Sequence, residues 1–112
     1  MKQVAVIHAA FEDTPRTVAF VNVPEDMEVM EALEYAFERT NNIGGSWSKP
    51  AQFEHNGKMY DNPDFSEDVT VMAPLPVHDG VEYGIRSTSM GDQMLIGNVK
   101  YKVAMMGFKE MA

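Results

Sequence analysis

A single amphipathic segment between residues 27 and 40 most constrains how this chain can fold. At about 100° per residue, its apolar and acidic side chains separate onto opposite sides of a helix. Pro24 suits the first helical position, and the Asn and Gly residues between 41 and 45 predict the helix end. The apolar side comprises Val29, Met30, Leu33, Ala36, Phe37 and Thr40, and the acidic side comprises Glu28, Glu31, Glu34 and Glu38 together with Tyr35. Such a helix needs another element against which to pack its apolar side.

Segments with β-strand character lie on both sides of this helix. Residues 3–10 and 17–23 are rich in Val, Ile and Ala, and the turn residues 12–15 separate them. This arrangement predicts an antiparallel hairpin. Further strands and hairpins are predicted at 53–60 around Asn56-Gly57, at 69–72, at 81–86 by alternation, and at 93–105 around Gly97-Asn98 in a type II′ turn.

These elements together predict an α+β fold with a mainly antiparallel sheet, or a small open barrel, and one amphipathic helix packed on it. The chain has 112 residues, of which 45% are hydrophobic and 23% charged. Those proportions are typical of a compact chain and exclude a disordered protein or a coiled coil. No repeat or linker divides the sequence, so residues 1–112 are predicted to form a single domain.

The charge balance excludes several classes of partner. Nine Lys and Arg against seventeen Asp and Glu give a net charge of −8. So few cations do not predict a surface that tracks phosphates, and no direct nucleic-acid partner is expected. No apolar run approaches the roughly 18 residues that a membrane span needs, and no membrane partner is expected.

The N-terminal residues and the absence of cysteine bear on the compartment. Residues 4–7 are apolar, but His8 follows and Glu12 and Asp13 close the run. A secretory signal needs an apolar core of about 7 to 15 residues, so we expect a strand here and a cytoplasmic protein. The chain has no Cys, which excludes disulfides and thiolate metal sites.

No metal or catalytic constellation is visible. His8, His55 and His78 are far apart and none is spaced i, i+4, as a helical zinc pair requires. His8 in an apolar strand is interpreted as a hydrogen-bonded core residue. The acidic residues at 61–68 lack calcium-loop geometry, because Pro63 occupies the third position. Ser87 and Ser89 lack the nucleophile-elbow frame. We therefore expect no metal, no cofactor and no enzymatic activity.

The acidic side of the helix and the methionine content are two candidate binding features. Glu28, Glu31, Glu34 and Glu38 have no Lys within the helix to pair with, so they form either a solvated face or a surface for a basic partner. The chain has ten Met residues. Most are expected to fill the core, and the alternative is an adaptable binding surface. Trp47, in a loop-like stretch, is a candidate aromatic anchor.

The most distinctive motif is Arg86-Ser87-Thr88-Ser89-Met90-Gly91-Asp92, which we call the 86–92 turn. Gly91 permits a positive φ, and Ser and Asp side chains bond nearby N–H groups, so the motif predicts a turn. In one interpretation it only shapes this turn, with Arg86 bound to Asp92 or to carbonyls. In the other, Arg86 holds a phosphate or carboxylate, with Ser87 and Ser89 assisting, in a small-molecule or nucleotide site.

The pattern R-S-x-S-x-G-D, followed by a hairpin, Tyr101 and Gly107-Phe108, resembles the end of the YodL-like domain. That domain belongs to small or modular proteins of phages, plasmids and other mobile elements. Met90 stands where the pattern usually carries Val. Residues 32–48, with Asn41-Asn42 and Ser46-Trp47-Ser48, are similar to short phage proteins that share this ending. The resemblance implies a mobile-element accessory protein, often encoded near antirestriction functions, and it supplies no catalytic residues.

Three functional hypotheses follow. The first is a phage-encoded accessory protein that binds and inhibits a host protein with a basic surface, such as an antiviral-defence component. Its binding residues would be Glu28, Glu31, Glu34, Glu38 and Trp47. The second is a small-molecule or nucleotide-binding domain that uses Arg86, Ser87, Ser89 and Asp92. The third is a virion component, whose self-association would be symmetric. The oligomeric state is left open.

Overall fold

The predicted N-terminal hairpin lies at the centre of the main sheet. The computed structural model describes residues 2–111. Strands β1 (Lys2–His8) and β2 (Arg16–Val23) pair antiparallel, from Lys2 opposite Val23 to His8 opposite Arg16. One irregularity in register lies between Val6 and Ile7. Because β1 and β2 supply Val4, Val6, Val21 and Val23 to the core, each of them fully buried, this hairpin forms one wall of the interior.

The remaining elements are short. They are α1 (Val29–Arg39), β3 (Gln52–His55), β4 (Lys58–Asp61), β5 (Val69–Val71), β6 (Val77–His78), β7 (Val81–Glu82), β8 (Gln93–Ile96), β9 (Val99–Val103) and β10 (Phe108–Glu110). The main sheet has the order β10-β9-β8-β1-β2-β5, and β3-β4 and β6-β7 form two-stranded sheets. Every strand pair is antiparallel. The α+β prediction is confirmed, with an open antiparallel sheet that has β10 and β5 as its edges.

The helix packs on the sheet through its smallest residues. Ala32, Leu33 and Ala36 are 0% exposed and join the core that β1 and β2 form. Two alanines on the contact face let the helix axis approach the sheet closely, which a face of larger side chains would prevent. No helix within residues 2–111 is long and apolar enough to cross a membrane.

Two details of the predicted helix are wrong. The helix begins at Val29 rather than at Pro24, and Glu28 is its N-cap with an extended backbone. The Pro24 carbonyl instead accepts the Met27 N–H at 3.1 Å, which makes residues 24–27 a turn. The buried side is also rotated toward Ala32, so that Val29 is 38% and Met30 52% exposed. The sheet selects the small residues, a preference that apolar periodicity alone does not reveal.

Two of the three two-residue hairpin turns are predicted correctly from the sequence. Asn56 and Gly57 have φ of 51° and 78°, as a type I′ turn requires, and they connect β3 to β4. Gly97 has φ of 59° and starts the turn between β8 and β9. Asp79-Gly80, with φ of 51° and 77°, forms a third such turn between β6 and β7 that the sequence prediction missed.

The predicted half-buried strand at 81–86 is wrong beyond Glu82. Val81 and Tyr83 are exposed, and only Ile85 of the alternating set is buried. The Tyr83 N–H donates to the Pro76 carbonyl at 2.8 Å, and the Ile85 N–H donates to Ser48 Oγ at 2.7 Å. The first bond continues the β6–β7 pairing by one residue and the second goes to a loop side chain, and residues 83–86 belong to no strand.

Candidate functional site

The 86–92 turn is closed by an ion pair between its two ends. Arg86 donates to both carboxylate oxygens of Asp92, with NH1–Oδ2 at 2.7 Å and NH2–Oδ1 at 2.8 Å. Asp92 is 0% exposed. Its Oδ1 also accepts the N–H groups of Ala9 and Ala10, and its Oδ2 accepts that of Ser89. The carboxylate therefore ties the turn to the residues that follow β1.

Arg86 has no N–H group left for a ligand. Its Nε and NH2 donate to the Glu12 carboxylate at 3.2 and 2.8 Å, and NH1 donates to the Ser87 carbonyl at 2.9 Å. With the two bonds to Asp92, these contacts use all of the donors that a guanidinium has. The Phe11 ring also covers the guanidinium, 4.8 Å from its centroid. A phosphate would have to displace Glu12 or Asp92 to bind here.

The ion pairs set the protonation states of the three groups. Burial alone would raise the pKa of Asp92, but the Arg86 guanidinium and three backbone N–H groups lower it from 3.8 to about 2. The hydrogen bond to Asp92 raises the already high pKa of Arg86 although burial opposes it. The hydrogen bond from Arg86 lowers the pKa of Glu12. All three groups are therefore charged at neutral pH.

The predicted ligand residues Ser87 and Ser89 also bond within the chain. Ser87 Oγ accepts the Asn42 N–H at 2.8 Å, and Ser89 Oγ donates to the Ser87 carbonyl at 3.2 Å. Gly91 has φ of 96°, and a Cβ there would lie 3.1 Å from the Ala10 Cβ. The structure thus brings the predicted set together, in an arrangement that supports the turn-shaping interpretation over a nucleotide site.

Trp47 is not available as the predicted aromatic anchor, because the structure places it in the core. It is 2% exposed, and its Nε1–H donates to the Arg86 carbonyl at 2.9 Å. Its ring meets the His8 ring edge-on, with centroids 6.4 Å apart. The Asn42 Oδ1 accepts the Trp47 backbone N–H at 2.9 Å, which turns the loop inward. A large ring with one satisfied N–H is more stable buried than in a solvent-facing loop.

Asn62 and Asp64 organise the loop around Trp47, and nothing in the sequence pattern indicated this. Asp64 Oδ2 accepts the N–H groups of Ile43 and Gly45, each at 2.7 Å. Burial would raise the pKa of Asp64, but these bonds and one from Gly44 lower it overall. The buried Asn62 amide donates to the carbonyls of three loop residues, Ser46, Lys49 and Pro50. Within residues 2–111, no group of three or more potential side-chain ligands is placed to hold a metal.

His8 begins a buried chain of hydroxyl groups. Its Nε2 lies 3.0 Å from Thr88 Oγ1, which lies 2.8 Å from Thr40 Oγ1. Thr40 Oγ1 donates its proton to the Ala36 carbonyl at 2.8 Å. The Thr88 hydroxyl must therefore donate to Thr40 and accept from His8, which places the His8 proton on Nε2. This confirms the prediction that His8 is a hydrogen-bonded core residue.

Burial also holds His8 neutral. Desolvation lowers its pKa below the ordinary value of 6.5, although the nearby charge of Asp92 opposes the shift. Asp92 Oδ2 is 3.9 Å from His8 Nε2, too far for a hydrogen bond. The ring is therefore a neutral imidazole with Nδ1 as an acceptor.

Four carboxylates define what we call the acidic face. All of Glu28, Glu31, Glu34 and Glu38 are exposed, as predicted from the helical spacing. Within residues 2–111, the ion pairs between side chains join Arg86 to Glu12 and to Asp92, with a third possible only if His8 is protonated, and none involves the acidic face. The helix therefore presents uncompensated negative charge to solvent.

An apolar groove of about 510 Å³ borders the acidic face, and we call it the methionine groove. Met30, Glu34 and Phe37 of α1 form one side, and residues 103–108 form the other. Met105 is 85% and Met106 90% exposed. The prediction that most methionines fill the core is wrong: among residues 2–111, Met94 is the fully buried one, whereas Met30, Met59, Met72, Met90, Met105 and Met106 are exposed.

Comparison of the chain with protein-family models, curated proteins and solved structures finds no match. The YodL-like resemblance therefore stays a prediction from residues 32–48 and 86–108.

Proposed function

We propose that this chain is a protein-binding accessory protein that binds a basic, partly apolar segment of a host protein and thereby inhibits that protein. The observation that carries the proposal is the continuity of two surfaces. Glu34 lines the methionine groove and also belongs to the acidic face. A partner that lies along α1 would therefore meet carboxylates on one side and methionines on the other.

Electrostatics supports a basic partner. The net charge is −8, and the carboxylates of the acidic face form no ion pair with another residue in 2–111. Such a surface speeds association with a basic segment and disfavours acidic ones. It can also occupy a groove on the host protein that is built for nucleic acid.

The methionine groove supports an apolar contribution from the same partner. Methionine side chains adapt their shape to different apolar groups, because their chains are unbranched and flexible. The rings of Phe37 and Phe108 meet edge-on with centroids 6.3 Å apart, and both belong to the lining of the groove. A flexible rim on an aromatic base suits an amphipathic helix that carries Lys or Arg on its other side.

The biological setting is proposed from the sequence resemblance. Small accessory proteins of phages and plasmids act inside the host cell, so the host cytoplasm is the proposed location and an antiviral-defence component the proposed class of target. The nucleotide-binding alternative has less support, since the donors of Arg86 are already used. The virion-component alternative predicts symmetric self-association, which light scattering measures.

The experiment is a binding titration with a designed peptide. The peptide has Lys and Leu at helical spacing, and its matched control has Glu in place of every Lys. We expect the Lys peptide to bind and the Glu peptide not to bind. Raising the salt concentration should weaken the binding, because exposed charges are screened beyond about 8 Å at physiological ionic strength.

Two double variants identify the surface. Glu31→Lys with Glu34→Lys reverses part of the acidic face, and Glu54→Lys with Glu82→Lys makes the same change in net charge at exposed positions elsewhere. We expect about a tenfold or greater loss of affinity with the first and little change with the second. If both double variants lost affinity equally, binding would depend on the net charge alone, and this result would contradict the proposed surface. The same pair then tests any host protein that the tagged chain captures from lysate.

A further inference from the structure

A second cavity, of about 450 Å³, shares no lining residue with the acidic face or the methionine groove. Residues 73–76 and 84–86 contribute to its lining, together with His8, Val18 and the charged or titratable residues Glu12, Arg16 and His78. We call it the His8 cleft. Its volume lies within the range of about 300 to 1,000 Å³ that small-molecule sites occupy.

The buried His8 ring has one nitrogen without a partner. Its Nε2–H donates to Thr88 Oγ1, and Nδ1 forms no hydrogen bond with any residue in 2–111. No side-chain nitrogen or oxygen that is fully buried within these residues lacks a partner. Nδ1 is therefore not fully buried, although the whole residue is only 1% exposed. The His8 cleft is the open space that His8 lines.

The position of the proton on the His8 ring determines which kind of ligand group can bind to Nδ1. The hydroxyls of Thr88 and Thr40 hold the ring proton on Nε2, so Nδ1 presents a lone pair to the cleft. A lone pair that faces a cleft with largely apolar walls accepts a hydrogen bond from a ligand N–H or O–H. Leaving such an acceptor without a partner is unfavourable, and this favours a ligand that supplies a donor.

The other residues that line the His8 cleft indicate which further chemical groups the ligand carries. Val18, Leu75 and Ile85 provide apolar side chains, and Pro74 and Pro76 add rigid rings, which together suit a flat ring system. The carboxylate of Glu12 is already held by Arg86 through two hydrogen bonds.

Arg16 is the cation of the His8 cleft that forms no ion pair within residues 2–111. A carboxylate or phosphate is the group that a guanidinium binds most specifically.

We propose that the His8 cleft binds a small ring-containing organic acid, whose N–H or O–H donates to His8 Nδ1 and whose acidic group contacts Arg16. This site is independent of the protein-binding surface on α1, since the two share no residue. It also does not use Arg86 as a ligand group, which separates it from the nucleotide-site hypothesis for the 86–92 turn.

The first measurement is the tautomer of His8 in the free protein, from long-range ¹H–¹⁵N spectra of the imidazole nitrogens near neutral pH. We expect a neutral ring with the proton on Nε2. A proton on Nδ1, or a charged ring, would overturn the proposal, because the cleft would then face a donor.

The second measurement is a titration with 2-, 3- and 4-hydroxybenzoate, which vary the spacing between donor and acid. Benzoate lacks the donor, and 4-hydroxybenzyl alcohol lacks the acid. We expect at least one hydroxybenzoate to shift the His8 Nδ1 resonance with an affinity in the millimolar range, typical for a probe of this size. Benzoate and the alcohol should each bind several-fold more weakly. Failure of all three isomers, or equal binding of benzoate, would overturn the proposal.

Variants assign the two contacts. His8→Gln keeps a donor for Thr88 but removes the Nδ1 acceptor, and it should abolish the advantage of hydroxybenzoate over benzoate. Arg16→Gln, at an exposed position that does not threaten folding, should abolish the advantage of hydroxybenzoate over the alcohol. Arg39→Gln on α1 is the matched control and should change neither. An unchanged Arg16→Gln titration would remove the acid contact and contradict the proposed ligand class.

Discussion

The 86–92 turn and the outer side of α1 use charged groups in opposite ways. In the turn, every N–H donor of Arg86 and both carboxylate oxygens of Asp92 are bonded inside the chain. On α1, the carboxylates of the acidic face are exposed and form no ion pair within residues 2–111. The charged groups of the most distinctive motif therefore stabilise the fold, whereas the carboxylates of the acidic face lie on a helix that carries no motif.

Residues 32–48 and the start of the 86–92 turn, on which the predicted resemblance depends, lie in contact in the structure. Six hydrogen bonds join residues 32–48 to residues 85–88, and two of them are the bond from the Ile85 N–H to Ser48 Oγ and the bond between the Thr88 and Thr40 hydroxyls. Asn42 bonds to Ser87 Oγ and to the Ile85 carbonyl, Trp47 Nε1 bonds to the Arg86 carbonyl, and the Thr88 N–H bonds to the Thr40 carbonyl. The two segments therefore form one hydrogen-bonded contact in the fold.

The largest expected effect is that of Asp92→Asn on stability. The amide cannot accept all five hydrogen bonds of the carboxylate, and it leaves Arg86 without its buried partner. Breaking a buried pair in this way costs about 3 to 5 kcal/mol of unfolding free energy. Urea denaturation measures it, with Asp13→Asn at an exposed position as the control, expected within about 0.5 kcal/mol of the wild type. A cost near that of the control would mean that the hydrogen bonds of Asp92 do not stabilise the fold.

The second effect is a loss of stability in acid. The folded pKa of Asp92 is about 2, below its ordinary value of 3.8. Between these values the unfolded chain binds more protons, so stability falls as the pH decreases from 3.8 to about 2. The expected loss is of the order of 2 kcal/mol.

Urea denaturation across this pH window tests the assignment of the acid effect to Asp92. In Asp92→Asn this part of the pH dependence should be absent. An unchanged slope in the variant would assign the acid sensitivity to other carboxylates.

A smaller effect is expected from Thr88→Val, which keeps the shape of the side chain but removes its hydroxyl. The His8 Nε2–H then has no acceptor, and a buried donor without a partner costs about 1 to 3 kcal/mol. Thr88→Ser keeps the hydroxyl and serves as the control for it. The imidazole spectra should also show that the proton is no longer held on Nε2 in Thr88→Val. Equal stability of the Val and Ser variants would contradict the hydroxyl chain.

The smallest effect, of opposite sign, is expected on α1. Glu34→Gln with Glu38→Gln removes repulsion between carboxylates spaced i, i+4 and should raise stability by a few tenths of a kcal/mol. Thermal denaturation measures the change, and binding of the Lys peptide should weaken in the same variant. If the double variant instead lost more than about 0.5 kcal/mol, one of these carboxylates would have a stabilising partner.

Sequence patterns predicted which helices and strands are present better than they predicted where each one ends and which of its sides is buried. The helix and the hairpins around Asn56-Gly57 and Gly97-Asn98 are correct, because they depend on periodicity and on local backbone preferences. The helix start was wrong because residues 24–27 form a turn, and the buried side was wrong because Ala32 is buried while Val29 and Met30 are exposed. The strand predicted at 81–86 ends at Glu82, and further along the chain the Ile85 N–H donates to a loop side chain, Ser48 Oγ, instead of to a neighbouring strand.

The candidate site was predicted only in part. Of the two interpretations of the 86–92 turn, the structure supports the one in which Arg86 bonds to Asp92 and to a carbonyl. The burial of Trp47 was not predictable, because a loop residue has no periodicity that assigns it a side. Met105 was predicted to lie within a strand, but β9 ends at Val103 and leaves Met105 and Met106 exposed. Trp47 is therefore not available to a partner, whereas Met105 and Met106 are.

The sequence by itself therefore determined the α+β class, the acidic face of α1 and the turn at Gly91, since each depends on neighbours within a few residues. Only the tertiary structure decided the hydrogen-bond partners of Glu12 and His8. Glu12 reaches Arg86 across 74 residues, and His8 reaches Thr88 across 80. Contacts between residues so far apart arise from the pairing of strands and the packing of loops, and no local preference encodes them.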